Sequence, residues 1–256
     1  MTKLLTVSGN PKLDKGGDRG IWAAALHLAP ASLSGFNTCA SATEGCKAAC
    51  LNTAGRGGIM AGHGILTADD IAAGIVNTVQ RARITRTRWL FADREGFMRE
   101  LDKEIAAHVR RCEREGKTPA FRLNATSDIR WESIRTESLG GLSILEKWAD
   151  VQFYDYTKHP NRKGVPANYH LTFSLADGNA DKARIALANG FNVAAVFRSA
   201  EVREEYRRTG GFMGAPVIDG DEHDFRFLDP KGSIVGLYAK GAAKKDTSGF
   251  VVDMAA

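Results

Sequence analysis

Short apolar runs alternate with longer amphipathic stretches along most of the chain. The runs AFRLNAT, VQFYDYT, YHLTFSL, FNVAAVF and APVID have the length and the aromatic and β-branched content of buried strands. Helix-like segments such as SILEKWAD, NADKARIALANG and EVREEYRRTGG lie between several of them. Strands that alternate with helices predict a parallel sheet covered by helices and connected by right-handed crossovers.

The number of predicted strands, roughly six to eight, favours a β/α barrel over an open doubly wound sheet. The glycine fingerprint of a dinucleotide-binding fold is absent from the sequence. We therefore predict a TIM-like β/α barrel, closed or partial, that forms a single domain over residues 1–256. The tail DFRFLDPKGSIVGLYAKGAAKKD predicts a C-terminal, hairpin-like pair of strands with a loop at Asp229 to Gly232.

The longest helical region runs from roughly Ala68 to Glu115, starts with Asp69 and Asp70, and has a predicted break near Gly96. Five arginines crowd its middle part, namely Arg81, Arg83, Arg86, Arg88 and Arg94. Their spacings do not place all of them on one face of a helix. A solvated helix is therefore favoured over a stripe of cations that follows phosphates.

Three cysteines lie in the run CASATEGCKAAC, after the apolar segment Ile21 to Leu28 and before a glycine-rich turn. This order predicts that Cys39, Cys46 and Cys50 lie on a loop that follows the first strand. Sulfur ligands suit both zinc and iron–sulfur clusters, and a loop lets three side chains converge. The fourth cysteine, Cys112, lies in the charged segment HVRRCEREG and is interpreted as a bystander.

The composition, with 43% hydrophobic and 25% charged residues in 256, is that of an ordinary globular protein. The N-terminal segment MTKLLTVSGNPKLDKGG has no signal-peptide or anchor pattern. We therefore expect a cytoplasmic protein, without membrane attachment, whose cysteines are reduced or bind metal. The net charge of +5 is compatible with a polyanionic partner such as nucleic acid or a nucleotide.

Polar residues follow several predicted strands, and in a β/α barrel such strand ends form the site. The strand AFRLNAT runs into Ser127 and Asp128, VQFYDYT carries Asp155 and runs into Lys158, and FNVAAVF runs into Arg198. We expect these residues to surround the same opening as the cysteine loop. Because Asp155 is costly to bury alone, it is expected to face this opening or to pair, for instance with Lys158.

Several motifs together resemble the phage protein family called gene product 88. They are CASATEGCKAACL, AGRGG, RLNATSDIRWE, FYDYTKHPNR, NYHLTFS, DGDEHDFRFLDP and IVGLYAKG. The resemblance covers approximately Gly9 to Val251 and implies no defined chemistry. A second resemblance, to three-cysteine phage proteins related to radical S-adenosylmethionine enzymes, rests on the cysteine loop and on the strand ends near Ser127 and Lys158. The chain departs from those enzymes in its cysteine spacing, CxxxxxxCxxxC, and lacks their Gly-Gly-Glu element.

The second resemblance implies a 4Fe–4S cluster on Cys39, Cys46 and Cys50, with one iron open to S-adenosylmethionine. It also implies that the protein is an enzyme that modifies nucleic acid or nucleotides. The candidate catalytic residues are Asp128, Asp155 and Lys158, and the candidate cofactor-binding residues are Asn124, Ser127, Arg56 and Arg198.

Two alternatives use the same cysteines differently. In the first, His63 completes a Cys3His zinc site in a base-exchanging transglycosylase, where Asp155 attacks the sugar and Asp128 handles the proton. In the second, the metal is purely structural and the protein only binds nucleic acid, which predicts binding that weakens steeply with salt. The sequence leaves the substrate and the oligomeric state open.

Overall fold

The computed structural model describes residues 3–7, 19–60 and 64–254, which form a mixed α/β fold. The strands are β1 Leu5–Thr6, β2 Ile21–Leu26, β3 Ile59–Met60, β4 Gly64–Ile65, β5 Thr118–Arg122, β6 Gln152–Thr157, β7 Tyr169–Ser174, β8 Val193–Phe197, β9 Val217–Asp219, β10 Ile234–Tyr238 and β11 Val251–Val252. The helices are α1 Glu44–Ala48, α2 Ala68–Ala72, α3 Thr78–Ala92, α4 Arg94–Arg114, α5 Ile144–Lys147, α6 Ala180–Ala188 and α7 Ala200–Arg208.

Nine of the described strands join one sheet, in the order β1-β2-β5-β6-β7-β8-β10-β9, with β11 beside β8. Only β1 runs antiparallel to its neighbour within this sheet as described, and the other pairs are parallel. The predicted parallel α/β order is therefore confirmed. The sheet does not close, because its path of paired strands ends at β1 on one side and at β9 on the other.

The sheet divides at β8. The first half of β8 pairs with β7 through Val193 and Ala194, and its second half pairs with β11 through Val196 and Phe197. On its other side, β10 pairs with the whole of β8. After Ser174 the chain therefore no longer pairs with β8. At the carboxyl end of β8, β11 is the neighbouring strand on that side.

The two faces of the sheet have different cores. On the helix-covered face, Phe121, Phe153 and Leu171 belong to the same buried cluster as Phe97 and Leu101 of α4. The opposite face carries small residues on β2, together with Tyr154 of β6 and Phe225 from the segment after β9. Because side chains alternate along a strand, Phe153 and Asp155, on either side of Tyr154 in β6, point to the helix-covered face.

The predicted helical region is interrupted twice, at residues 73–77 between α2 and α3 and at Asp93 between α3 and α4, close to Gly96, near which the break was predicted. Asp93 is the N-cap of α4, and its carboxylate accepts a hydrogen bond of 2.9 Å from the backbone N–H of Gly96. A Cβ at Gly96 would lie 2.0 Å from this carboxylate. Gly96 therefore makes room for the cap inside the first turn of the next helix.

The C-terminal segment does not form the predicted hairpin. Residues Arg226–Leu228 are a 3-10 helix, and β10 pairs in parallel with β8 and β9. Ile234 and Val235 are both fully buried, so successive side chains of β10 are covered on both faces. Such two-sided burial is typical of an inner strand of a parallel sheet, and this is why the hairpin interpretation was wrong.

No helix in the described ranges is long and apolar enough to cross a membrane. The longest of them, α4, has 21 residues and carries many charged side chains.

Candidate functional site

A cavity of about 860 Å³ opens where the carboxyl ends of several parallel strands meet the cysteine loop and α3. This size is within the range of small-molecule sites, about 300 to 1,000 Å³. Eight of the residues predicted from the sequence line it, namely Cys39, Cys46, Cys50, Arg56, Asn124, Ser127, Asp128 and Lys158. The cysteine loop and the ends of β5 and β6 therefore face one space.

Cys39 is held against the loop that follows β5. The hydroxyl of Thr38 donates to the carbonyl of Ala29 at 2.7 Å, and the backbone N–H of Asp128 donates to the carbonyl of Thr38 at 2.8 Å. The Sγ of Cys39 lies 3.9 Å from the carbonyl oxygen of Thr126. These contacts fix the first cysteine beside the end of β5.

Cys46 lies in α1, and Cys50 follows the end of that helix. Thr43 caps α1 by accepting a hydrogen bond from the backbone N–H of Cys46. The Asp177 carboxylate, from the loop after β7, accepts hydrogen bonds from the Thr43 hydroxyl and from the backbone N–H of Gly45, the latter at 3.2 Å. Asp177 therefore positions the start of the cysteine helix.

The three thiols interact with one another electrostatically. Burial raises the pKa of Cys50 to about 11, negative charge on Cys46 and Cys39 acts in the same direction, and Arg83 opposes it. Burial also raises the pKa of Cys39, to which Asp128 and Cys46 add a smaller effect. All three are free cysteines of intermediate exposure. They form one group on the cavity wall.

Within residues 3–7, 19–60 and 64–254, no three His, Cys, Asp or Glu side chains form a group that could hold a metal ion. Cys39, Cys46 and Cys50 line the same cavity without forming such a group.

The loop after β5 is organised by the side chain of Asn124, which is 2% exposed. Its Oδ1 accepts hydrogen bonds from the Ser127 hydroxyl at 2.8 Å, from the Ile129 N–H at 2.9 Å and from the Trp131 Nε1 at 3.2 Å. The polar atoms of Asn124 and Ser127 are therefore engaged with each other and with the loop. Both residues shape the cavity wall.

Asp128 and Lys158 are neighbours at the cavity. The backbone N–H of Lys158 donates to Oδ2 of Asp128 at 2.8 Å, and Arg162 Nη1 lies 3.5 Å from Oδ1. The Lys158 ammonium donates to the hydroxyl of Ser174 at 3.1 Å. Lys158 and Asp128 thus line the cavity from the ends of adjacent strands, and the Asp128 carboxylate is engaged by the Lys158 backbone and by Arg162.

A family model described as Gene product 88 matches residues 3–254. The chain belongs to the Gene product 88 family. The first resemblance given by the sequence motifs is confirmed, and the match extends slightly beyond the span that the motifs indicated. No curated protein and no solved structure matches the chain, and the comparisons give no support to the resemblance to radical S-adenosylmethionine enzymes.

Asp155 of this Gene product 88 protein does not line the cavity. It is fully buried, and it accepts hydrogen bonds of 2.8 Å from the Asn124 backbone N–H and from the Tyr169 hydroxyl. Burial raises its pKa to about 7, although Arg122 and both hydrogen bonds favour the ionised form. Asp155 therefore holds the loop after β5 in place, and Lys158 is not its partner.

Arg198 also lies outside the cavity. Its guanidinium donates to the Asp253 carboxylate at 2.8 and 2.9 Å and to backbone carbonyls of Lys244 and Asp246. These contacts fix the C-terminal segment of the Gene product 88 chain beside β8. His63, the fourth zinc ligand of the alternative hypothesis, lies outside the described residues.

Several cationic residues of the cavity were not predicted from the sequence. Arg83 and Arg86 of α3 line it, although the whole arginine-rich stretch was interpreted as solvated; Arg81 and Arg88 are exposed, as expected. The cavity also contains His27, Arg122 and Lys240. The helical spacing of Val79, Ala82, Arg83 and Arg86, which places them on one face, is the signal that could have separated the two kinds of arginine.

Proposed function

We propose that this Gene product 88 protein is an enzyme that holds an iron–sulfur cluster on Cys39, Cys46 and Cys50 and acts on a nucleotide-like substrate in the adjoining cavity. The observation that carries the proposal is the shared cavity wall of three thiols at the carboxyl ends of parallel strands. Ligands of open α/β sheets are commonly bound at this edge.

A four-iron cluster on three thiolates leaves one iron for a further ligand, and S-adenosylmethionine at that iron would supply a radical. The chain's own residues have distinct parts in such a site. Arg56 and Arg83 place positive charge near the thiolates. Lys158 presents an ammonium to the cavity, where it orients an anionic or carbonyl group of the substrate, and Asp128 offers a carboxylate that accepts a proton or a hydrogen bond.

The architecture that we infer is a partial β/α barrel whose opening is this cavity. It is supported by the order β2, β5, β6, β7 and β8, in which strands that follow one another along the sheet are neighbours, as in a barrel. A cytoplasmic location belongs to the same proposal, since a reducing compartment keeps the cysteines available as ligands.

Elemental analysis of the full chain purified without oxygen tests the proposal. We expect iron together with acid-labile sulfide, and a visible charge-transfer absorption. Cys46→Ser should lose most of both, because one of three ligands is removed. Cys112→Ala is the matched control, since this cysteine is buried beside His108 and does not line the cavity, and it should retain the metal.

Zinc without iron would contradict the cluster and would support the alternative site with His63. Full metal content in Cys46→Ser would contradict any role of the cysteine loop in binding metal.

A further inference from the structure

Arg83 is almost completely buried, and no carboxylate among the described residues pairs with it. It is 8% exposed and lines the cavity. Its Nη1 donates to the carbonyl and to the Oδ1 of Asn52 at 2.9 and 2.6 Å, while its Nε is buried without a hydrogen-bond partner in the described part of the chain. Among the residues that the structure describes, the charges that affect its pKa are Cys50 and Arg86, and no carboxylate is among them. A buried guanidinium with unused donors is costly unless an anion completes it.

Arg86 lies one helical turn further along α3 and lines the same cavity. Its Nε donates to the carbonyl of Lys3 at 2.8 Å. The carboxylate that acts on its pKa belongs to Glu104, whose two oxygens accept hydrogen bonds from the backbone N–H groups of Leu4 and Leu5. The Nη groups of Arg86 make no hydrogen bond within the described part of the chain.

The charge of these arginines acts on His27, which lines the same cavity. Burial lowers the pKa of His27 to about 3, and Arg83, Arg122 and Arg86 lower it further. The charge of Arg122 is balanced by the Asp224 carboxylate, 3.0 Å away. Among the described residues, Arg83 therefore contributes positive charge to this wall that no carboxylate balances, and Arg86 adds to it.

Arg83 is held in place before any ligand arrives. Gln80 donates to the carbonyls of Asn52 and Gly57, both at 2.7 Å, and accepts a hydrogen bond from the Asn52 amide. A Cβ at Gly57 would lie 2.4 Å from the Asn52 carbonyl and 3.0 Å from Nη1 of Arg83. The glycine thus lets the loop after Cys50 approach α3 and fixes the guanidinium at the cavity wall.

We propose that Arg83 and Arg86 bind the phosphate of a phosphate monoester, as carried by a free mononucleotide, in this cavity. The inference names the substrate class and so rests on the proposed function, but the binding itself requires no cluster. The planar guanidinium matches the geometry of phosphate oxygens. A phosphate monoester carries between one and a half and two negative charges at neutral pH, roughly the charge of two arginines. Each phosphodiester group of a polynucleotide carries one negative charge. The polynucleotide chain would also have to enter a partly enclosed cavity.

Calorimetric titration of the full chain with inorganic phosphate, adenosine 5′-monophosphate and adenosine tests this inference. We expect both phosphates to bind, and adenosine to bind much more weakly than its monophosphate. Arg83→Gln and Arg86→Gln should each weaken phosphate binding about ten- to a hundredfold, as expected for the loss of a hydrogen-bonded charge. Arg81→Gln makes the same charge change at an exposed position of the same helix and should leave the affinity unchanged.

Arg86→Gln is the safer variant for folding, because Arg86 is only partly buried, and its thermal unfolding should match that of the unmodified chain. Absence of binding of both phosphates at millimolar concentration would overturn the inference. So would equal weakening by Arg81→Gln, or tighter binding of a single-stranded oligonucleotide that lacks a terminal phosphate.

The two proposals fail separately. If Cys46→Ser has lost its iron but still binds phosphate, the arginine site is supported independently of the metal. If Arg86→Gln keeps the iron content of the unmodified chain and loses phosphate binding, the cluster and the anion site are shown to be distinct parts of one cavity.

Discussion

The carboxylate of Asp155 lies between β5, β6 and β7, where it receives hydrogen bonds from Asn124 and Tyr169 and has Arg122 Nε at 4.0 Å. Asn124 in turn arranges the loop that carries Ser127 and leads to Asp128. Asp155 therefore acts on the site through the loop that it supports. An asparagine at this position could still accept the backbone hydrogen bond, but it could not ionise.

Replacement Asp155→Asn should change how stability depends on pH. Because burial raises the pKa of Asp155 to about 7 from its ordinary value of 3.8, the folded state holds the proton more tightly than the unfolded state. The contribution of this proton to stability is complete below about pH 4 and is lost as the pH rises through about 7. The free energy of unfolding of the unmodified protein, relative to Asp155→Asn, should therefore fall between pH 4 and pH 7 and stay constant above.

Urea unfolding of both proteins at intervals from pH 4 to pH 8 measures this difference. A difference that is independent of pH, or that increases with pH, would show that Asp155 is ionised in the folded state throughout.

Other single residues were predictable because their positions follow from strand ends. Cys39, Cys46, Cys50, Asp128 and Lys158 reach one cavity, as the order of strands and loops indicated. Asp155 was misplaced for a physical reason: Tyr154 and Tyr156 on either side of it point to the opposite face of β6. Both faces of a buried parallel strand are apolar, so the pattern of residues along β6 does not indicate which face carries the cavity.

At the scale of elements, α1 is too short to be stable by its own backbone hydrogen bonds. It has five residues, and its first turn is tied to Asp177 through Thr43 and Gly45. A Cβ at Gly45 would lie 2.6 Å from Oδ1 of Asp177, which shows how closely the helix start approaches this carboxylate. The position of Cys46 thus depends on a residue more than a hundred positions away in sequence.

Asp177→Ala should loosen α1 without unfolding the sheet. The loss of this helix-start anchor should cost about 1 to 2 kcal/mol of local stability. Amide hydrogen exchange at Cys46 should become roughly ten times faster or more, since about 1.4 kcal/mol corresponds to a tenfold change. Asp181→Ala, an exposed carboxylate at the start of α6, is the control and should leave this exchange rate unchanged. Unaltered exchange at Cys46 in Asp177→Ala would mean that other contacts hold the helix.

The order of elements could be predicted since each strand is a short apolar run between amphipathic segments. The neighbours of β10 could not, because β10 lies between β8 and β9 and not beyond β9, as the order along the chain would suggest. The cap at Asp93 was missed for a similar reason. A carboxylate at the end of one helix and a glycine inside the next show their relation only in three dimensions.

At the scale of the whole molecule, the segment after β9 covers the face of the open sheet that lies opposite the helix-covered face. Phe225 is fully buried with Tyr154 and the small residues of β2, and its ring centroid lies 6.2 Å from that of Tyr154. Beside it, Asp224 binds Arg122 of β5 at 3.0 Å. This segment therefore covers the small residues of β2, and it anchors a cavity arginine.

Phe225→Ala should be among the more destabilising substitutions in the chain. Removal of a fully buried phenylalanine costs about 3 to 5 kcal/mol, because transfer free energy is lost and a cavity remains. Thermal unfolding should show a clearly lower Tm. Leu228→Ala, at a residue that is 48% exposed in the same segment, should change the free energy of unfolding by no more than about 0.5 kcal/mol. Equal losses of stability in the two variants would contradict a core role for Phe225, since Phe225 is buried and Leu228 is exposed.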